Sequence, residues 1–198
     1  MIDSSTPVQS PSHGETFVNH LLELAKSNRG AMAELRRSLS HEPGAYVGAF
    51  PYVERFAGAR HAQDAYRRAL YLIAGLFALH PLHRKGSSFA SAYGRLSEQR
   101  KSSQKSDGIE RRFIALLSAD AQSLPAHLRQ AVSLLAADDL SFDYVRLLND
   151  LAVWLDPRKL ERLDELRQRW AQDFYRATAL PLGSAASTEV SVNSLNHS

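Results

Sequence analysis

The chain has 198 residues, 44% of them hydrophobic, with a formal net charge of +3 and no cysteine. That apolar content suffices for a core and excludes wholesale disorder; the missing thiols exclude disulfide staples and thiolate metal sites and fit a reducing cytoplasm. The charge is modest, but 19 of the 24 bases are arginine, whose planar fork suits phosphate or carboxylate partners, although a GC-rich genome gives the same bias.

Residues 1–14 are polar and lack the basic start and apolar run of a signal peptide, so they read as a disordered tail. Helical periodicity then dominates, with no convincing alternation of period two. It predicts helices over 15–27 and 29–40, a shorter element over 46–57, and helices over 61–79, 88–101, 108–121, 125–137, 142–155 and 159–177. Pro43, Pro51, Pro81, Pro125 and Pro157 fall between these segments or at their starts, where a missing N–H is tolerated. The longest apolar run, 69–79, has 11 residues, against roughly 20 needed to span a bilayer. The stretch 101–108 (KSSQKSDG) reads as a linker, with Asp107 and Glu110 placed as a capping box for the next helix. The fold class is therefore all-α in two small helical units. The first covers 15–100 around the apolar helix 69–79, and the second, 109–178, is an antiparallel four-helix bundle. Residues 179–198 turn to Ser, Asn and Thr and read as a second disordered tail.

Residues placed at 100° intervals separate core from surface. In 29–40, Met32, Leu35 and Leu39 form the apolar stripe, with Arg37 opposite it and Arg36 on its flank. In the helix after the linker, Ile109, Phe113, Leu116 and Leu117 share a stripe, with Arg111 opposite and Arg112 on the flank. Asp120 falls back on that stripe and reads as a buried carboxylate paired with an arginine. In 125–137 the stripe is Leu124, Leu128, Val132 and Leu135, with Arg129 at its edge. In 142–155, Leu148, Ala152 and Leu155 face inward and Arg146 outward, with Asp150 four residues on as its partner. On the last helix Trp170 and Phe174 share the core stripe, and the charges nearly cancel. Trp154 points away from its helix's stripe and is the one aromatic suspected of stacking on bases. The segment 84–112 differs from the rest: eight bases against three acids give it a net charge of +5, the footprint of a phosphate-binding surface.

Motifs for catalysis are absent. There is no Walker A, GxGxxG, GxSxG or HExxH pattern. His80 and His83 bracket Pro81–Leu82 at a helix end, but with no cysteine or carboxylate near them in sequence a metal pair is the lesser reading. The chain reads as a non-enzyme with no cofactor and no metal. Two functions remain: a protein that binds nucleic-acid backbone, and a helical adaptor whose arginine faces meet acidic protein surfaces.

Seven segments in order carry a family resemblance: RGAMAELRR (29–37), FPYVERF (50–56), YLIAGLFALHP (71–81), ERRFIALLSAD (110–120), LPAHLRQAVSLL (124–135), YVRLLNDLAVW (144–154) and RWAQDFYR (169–176). Together they resemble the CasB family, the small all-helical subunit of the type I-E CRISPR Cascade complex, over most of 29–176. The resemblance implies a non-catalytic subunit that sits, usually as two copies, along the belly of the crRNA-guided complex. Its partners would be the other Cascade subunits and crRNA, together with the target and displaced DNA strands of the R-loop. Carried over by motif, the candidate backbone contacts are Arg36, Arg37, Lys85, Arg111, Arg112, Arg129 and Arg146.

Overall fold

The computed structural model describes residues 11–102 and 108–179; the two expected tails beyond these limits, and 103–107 of the expected linker, lie outside the described residues. Helix α1 (His13–Ser27) starts two residues inside the first expected tail. Its start is fixed by a capping box: Ser12 Oγ accepts from Glu15 N–H at 3.2 Å while the Glu15 carboxylate accepts from Ser12 N–H at 2.9 Å. Asn28 caps α2 (Arg29–Ser38) by accepting from Ala31 N–H at 2.8 Å. A 3₁₀ turn (Val47–Ala49) then leads into α3 (Phe50–Ala57), with Pro51 in its first turn. Asp64 caps α4 (Ala65–Leu79). The remaining helices are α5 (Phe89–Ser102), α6 (Ile109–Leu117), α7 (Leu124–Ala137), α8 (Tyr144–Trp154) and α9 (Leu160–Thr178). The all-α expectation holds. The proposed cap residue Asp107 lies outside the described residues, and Glu110 instead accepts from the Tyr175 hydroxyl at 2.9 Å. No helix among the described residues is long and apolar enough to cross a membrane.

The pattern of α4 dictates the packing. It is apolar on nearly every side, and its residues 69–78 are all buried, so one neighbour cannot cover it. Helices α2 and α8 both lie on it, and α3 and α7 close the remaining faces. The buried Arg67 on α4 is neutralised by Glu54 of α3 at 2.6 Å, and the same carboxylate accepts from the Tyr71 hydroxyl.

The most extensive helix pair is α5 along α9. Gly94 makes that approach feasible: a Cβ there would fall inside contact distance of the Phe174 carbonyl oxygen and 2.9 Å from the Ala177 methyl. The aromatic rings record how the helices interlock. Phe77 of α4 meets Tyr144 of α8 at 5.0 Å, Phe89 of α5 meets Trp170 of α9 at 5.2 Å, and Phe113 of α6 stacks on Phe174 of α9 at 4.0 Å. Helices from before and after 101–108 therefore contribute to one cluster of buried side chains. The helices over 109–178 do not pack only on one another, because α8 is drawn onto α4 and α9 onto α5.

Candidate nucleic-acid interface

Two bases of the segment 84–112, Arg84 and Lys85, lie in the loop between α4 and α5. That loop is held against the chain entering α8. His80 Nε2–H donates to Leu140 O at 2.9 Å, Arg84 N–H to Phe142 O at 2.9 Å, and Tyr144 N–H to His83 Nδ1 at 3.2 Å. Asp143, at the start of α8, accepts from Gly86 N–H at 2.8 Å, and its own N–H donates to Ser87 O at 2.7 Å. Gly86 has φ +81°, which L side chains rarely adopt, and so allows the turn in which Ser87 N–H returns to Arg84 O. Both histidines thus bond to backbone. Among the described residues no group of three or more His, Cys, Asp or Glu could hold a metal ion.

The seven candidate bases have distinct surroundings. Lys85 projects to solvent, and its Nζ meets Glu15 at 2.8 Å. The hydrogen bond from Lys85, followed by that from Ser12 N–H, draws the Glu15 carboxyl down to about 2. Arg36 donates from Nε and Nη2 to Ala78 O at 3.1 and 2.7 Å, satisfying a carbonyl that the end of α4 leaves without a helical partner. Arg37 is exposed and pairs with Glu34 in the preceding turn. Arg111 and Arg112 are exposed on α6, and the charge of Arg112 reaches the buried Tyr93, whose hydroxyl burial pushes up to about 12. Arg129 lies on α7 beside an open groove of about 900 Å³, which His41, Glu42 and His127 also line. Neither Arg111 nor Arg129 is paired with a carboxylate among the described residues.

Arg146 pairs with Asp173 of α9 at 3.2 Å and not with Asp150. Asp150 is buried against α9, where it accepts from Arg169 at 2.5 Å and from Trp170 Nε1–H at 2.8 Å. Burial holds its carboxyl above the usual aspartate range despite those donors.

Two further expectations are corrected. Helix α6 ends at Leu117, so Asp120 lies past it and is exposed, away from any apolar stripe. Its Oδ1 accepts from Gln122 N–H, Ser123 N–H and Ser123 Oγ–H at 3.2, 2.7 and 2.6 Å. Asp120 therefore shapes the turn into α7 and, among the described residues, pairs with no arginine. Trp154 is only 3% exposed; it packs 5.1 Å from Trp170 and donates to Ala119 O at 3.2 Å, so it is not available to stack on a base.

Arg84 and Arg95 belong to the basic segment but are not among the seven candidates. Arg84 is exposed, and no carboxylate pairs with it among the described residues. Arg95 is partly buried on α5, where its Nη2 donates to Ser87 Oγ at 2.7 Å. Burial, and next the charge of Arg84, lower the pKa of this guanidinium.

Comparison with known proteins agrees with the ordered motifs. The family described as CRISPR-associated protein Cse2 matches residues 31–175. A CRISPR-associated protein Cse2 from Thermus thermophilus is 38% identical over 171 residues, which span 85% of this chain and 93% of that protein. The crystal structure of CasB from M. ruber superposes with a TM-score of 0.69 at 36% identity, covering 86% of this chain and 96% of that one. A chain of a CRISPR RNA-guided surveillance complex shares the fold at a TM-score of 0.67 and 22% identity, covering 84% of this chain and 93% of that one. With most of its length matched on these counts, the chain belongs to the CRISPR-associated Cse2 (CasB) family.

Proposed function

We propose that this chain is the non-catalytic small subunit of a crRNA-guided antiviral surveillance complex of the Cascade type. In this reading it works in the cytoplasm beside the other subunits and crRNA, as two copies in the complex. It binds the DNA backbone without regard to sequence and stabilises the target and displaced strands of the R-loop. The observation that carries the reading is the conjunction of Cse2 family membership with arginines, Arg111 and Arg129 foremost, that are exposed without a carboxylate partner among the described residues. Strand exchange into an RNA–DNA hybrid is nearly balanced in energy, so backbone contacts can tip it. Phosphate contacts position a protein without reading bases, which suits a subunit serving every guide.

The seven candidates have different access to a phosphate. Arg111, Arg112 and Arg129 are exposed on helix faces. Arg37 and Lys85 must exchange a surface carboxylate for a phosphate, a small cost because solvent screens exposed pairs. Arg146 must leave an Asp173 side chain that is only 15% exposed, and Arg36 has only Nη1 uncommitted; both contribute less.

Binding of oligothymidine by the full chain, followed at several salt concentrations, tests this. The expected result is weak, sequence-independent binding that falls steeply with salt and leaves the DNA uncut when Mg²⁺ is present. Arg111→Ala with Arg129→Ala should flatten the log–log salt slope by about 0.7 per lost contact. Glu161→Gln with Glu165→Gln on α9 should leave the slope unchanged. A slope unaltered by the arginine pair contradicts the phosphate contacts, and reproducible cleavage contradicts the non-catalytic assignment.

A further inference from the structure

Arg84 and Ser87 of the turn 84–87 and the side chain of Arg95 form a small site; none of the three is among the seven candidates, although Lys85 lies in the same turn. The turn is fixed at both ends: Arg84 N–H bonds to Phe142 O at 2.9 Å, and Ser87 O accepts from Asp143 N–H at 2.7 Å. Arg95 reaches the same turn through Ser87 Oγ at 2.7 Å. Two acids that meet this turn are engaged by groups other than Arg84 and Arg95. Asp143 accepts from Gly86, Val145 and Arg146 N–H at 2.8, 2.9 and 3.1 Å, and Glu15 holds Lys85. Neither Arg84 nor Arg95 is paired with a carboxylate among the described residues, and Arg95 is partly buried, a placement that a further counter-charge favours.

We infer that Arg84, Arg95 and the Ser87 hydroxyl form a preformed site for one phosphodiester group of a nucleic-acid strand. The guanidinium forks supply charge-assisted donors. Ser87 Oγ accepts from Arg95 and keeps its own hydrogen free to donate to a phosphate oxygen. Arg84 is exposed on the loop and Arg95 is half-covered, so the site opens to solvent, as a continuous backbone passing over it requires. Burial first, and then the charge of Arg84, disfavour the charged form of Arg95, and a phosphate seated between the two guanidiniums offsets both. The inference rests on the backbone-binding reading above and adds to it a specific anchor point at the entrance to α5.

The test uses the full chain and oligothymidine in the same salt series. Arg84→Ala with Arg95→Ala is expected to weaken binding and flatten the log–log slope by about 0.7, the value for one lost phosphate contact on a single strand, while Arg95→Lys retains most of the slope. Arg84→Glu, on an exposed loop side chain, is expected to weaken binding further and gives a readout even where Arg95→Ala impairs folding. Inorganic phosphate, compared with chloride at matched ionic strength, is expected to displace no additional DNA; selective displacement would assign the site to free phosphate and overturn the inference. Unchanged slopes in the Arg84 and Arg95 variants, alongside a flattened slope for Arg111→Ala with Arg129→Ala, overturn the inference and leave the backbone-binding reading intact. Failure of the unaltered chain to bind oligothymidine at low salt overturns both.

Discussion

Gly94→Ala should lower the stability of the protein by about 2 kcal/mol, and Gly94→Val by more, as overpacked sites do. In an exposed helix the alanine change would be favourable by roughly 0.5–1 kcal/mol through backbone entropy. Here the new methyl would meet the carbonyl oxygen of Phe174, a backbone atom that cannot rotate away, and lie 2.9 Å from the Ala177 methyl. The only relief is separation of α5 from α9. That separation loosens the Phe89–Trp170 contact and the Phe113–Phe174 stack, so the loss spreads beyond one residue. A urea unfolding midpoint clearly below that of the unaltered chain is the expected reading. An equal or higher midpoint for Gly94→Ala would show that the helices do not approach this closely.

Trp170→Ala should be more damaging still, costing about 3–5 kcal/mol, the range for removing a large buried aromatic. For a single domain stable by roughly 5–15 kcal/mol that is a large share of the total. Trp170 is 1% exposed and packs on Phe89 and Trp154, so it ties α5, α8 and α9 together. Its Nε1–H also donates to the buried Asp150 at 2.8 Å. Trp170→Phe separates these two roles. It keeps much of the ring packing and removes the donor, which should cost about 1–3 kcal/mol for a buried acceptor left with fewer partners. Arg169, also bonded to Asp150, limits the loss. The expected denaturation midpoints fall from the unaltered chain through Trp170→Phe to Trp170→Ala. Equal losses for the two variants would mean that the hydrogen bond and not the packing holds the junction.

Periodicity makes the helices legible because apolar side chains repeat with the helical turn and Pro51 and Pro125 mark helix starts. It is less reliable for phase. A stripe through Leu148, Ala152 and Leu155 differs from the buried set on α8, which is Tyr144, Leu147, Leu148, Asp150, Leu151 and Trp154. That rotation puts Trp154 on the wrong side of its helix and turns a core residue into a candidate stacking platform. Asp120 is misplaced for another reason: α6 stops at Leu117, and a helix drawn on to 121 carries the carboxylate back to a stripe that no longer exists.

Ion pairs are the least legible feature, because a carboxylate close in sequence competes with one brought near by the fold. Asp150 lies four residues from Arg146, yet α9 presents Arg169 and Trp170 to it. Lys85 meets Glu15, 70 residues earlier in the chain, and no spacing rule anticipates that. The net charge of 84–112 locates the basic region but cannot separate bases already paired from those left without an acid. Arg84 and Arg95 emerge only once the turn 84–87 and the start of α8 are seen to lie together.

If this subunit stabilises an R-loop through the DNA backbone, the lifetime of the R-loop measures that action most directly. A crRNA-guided surveillance complex is assembled with the unaltered chain, with the Arg111→Ala and Arg129→Ala variant, and without the chain, and dissociation from matched target DNA is followed at several salt concentrations. The predicted result is the longest lifetime with the unaltered chain, a shorter and less salt-sensitive one with the variant, and the shortest without the subunit, in the same order for targets of unrelated sequence. Equal lifetimes with and without the chain at every salt concentration would contradict backbone stabilisation by this subunit.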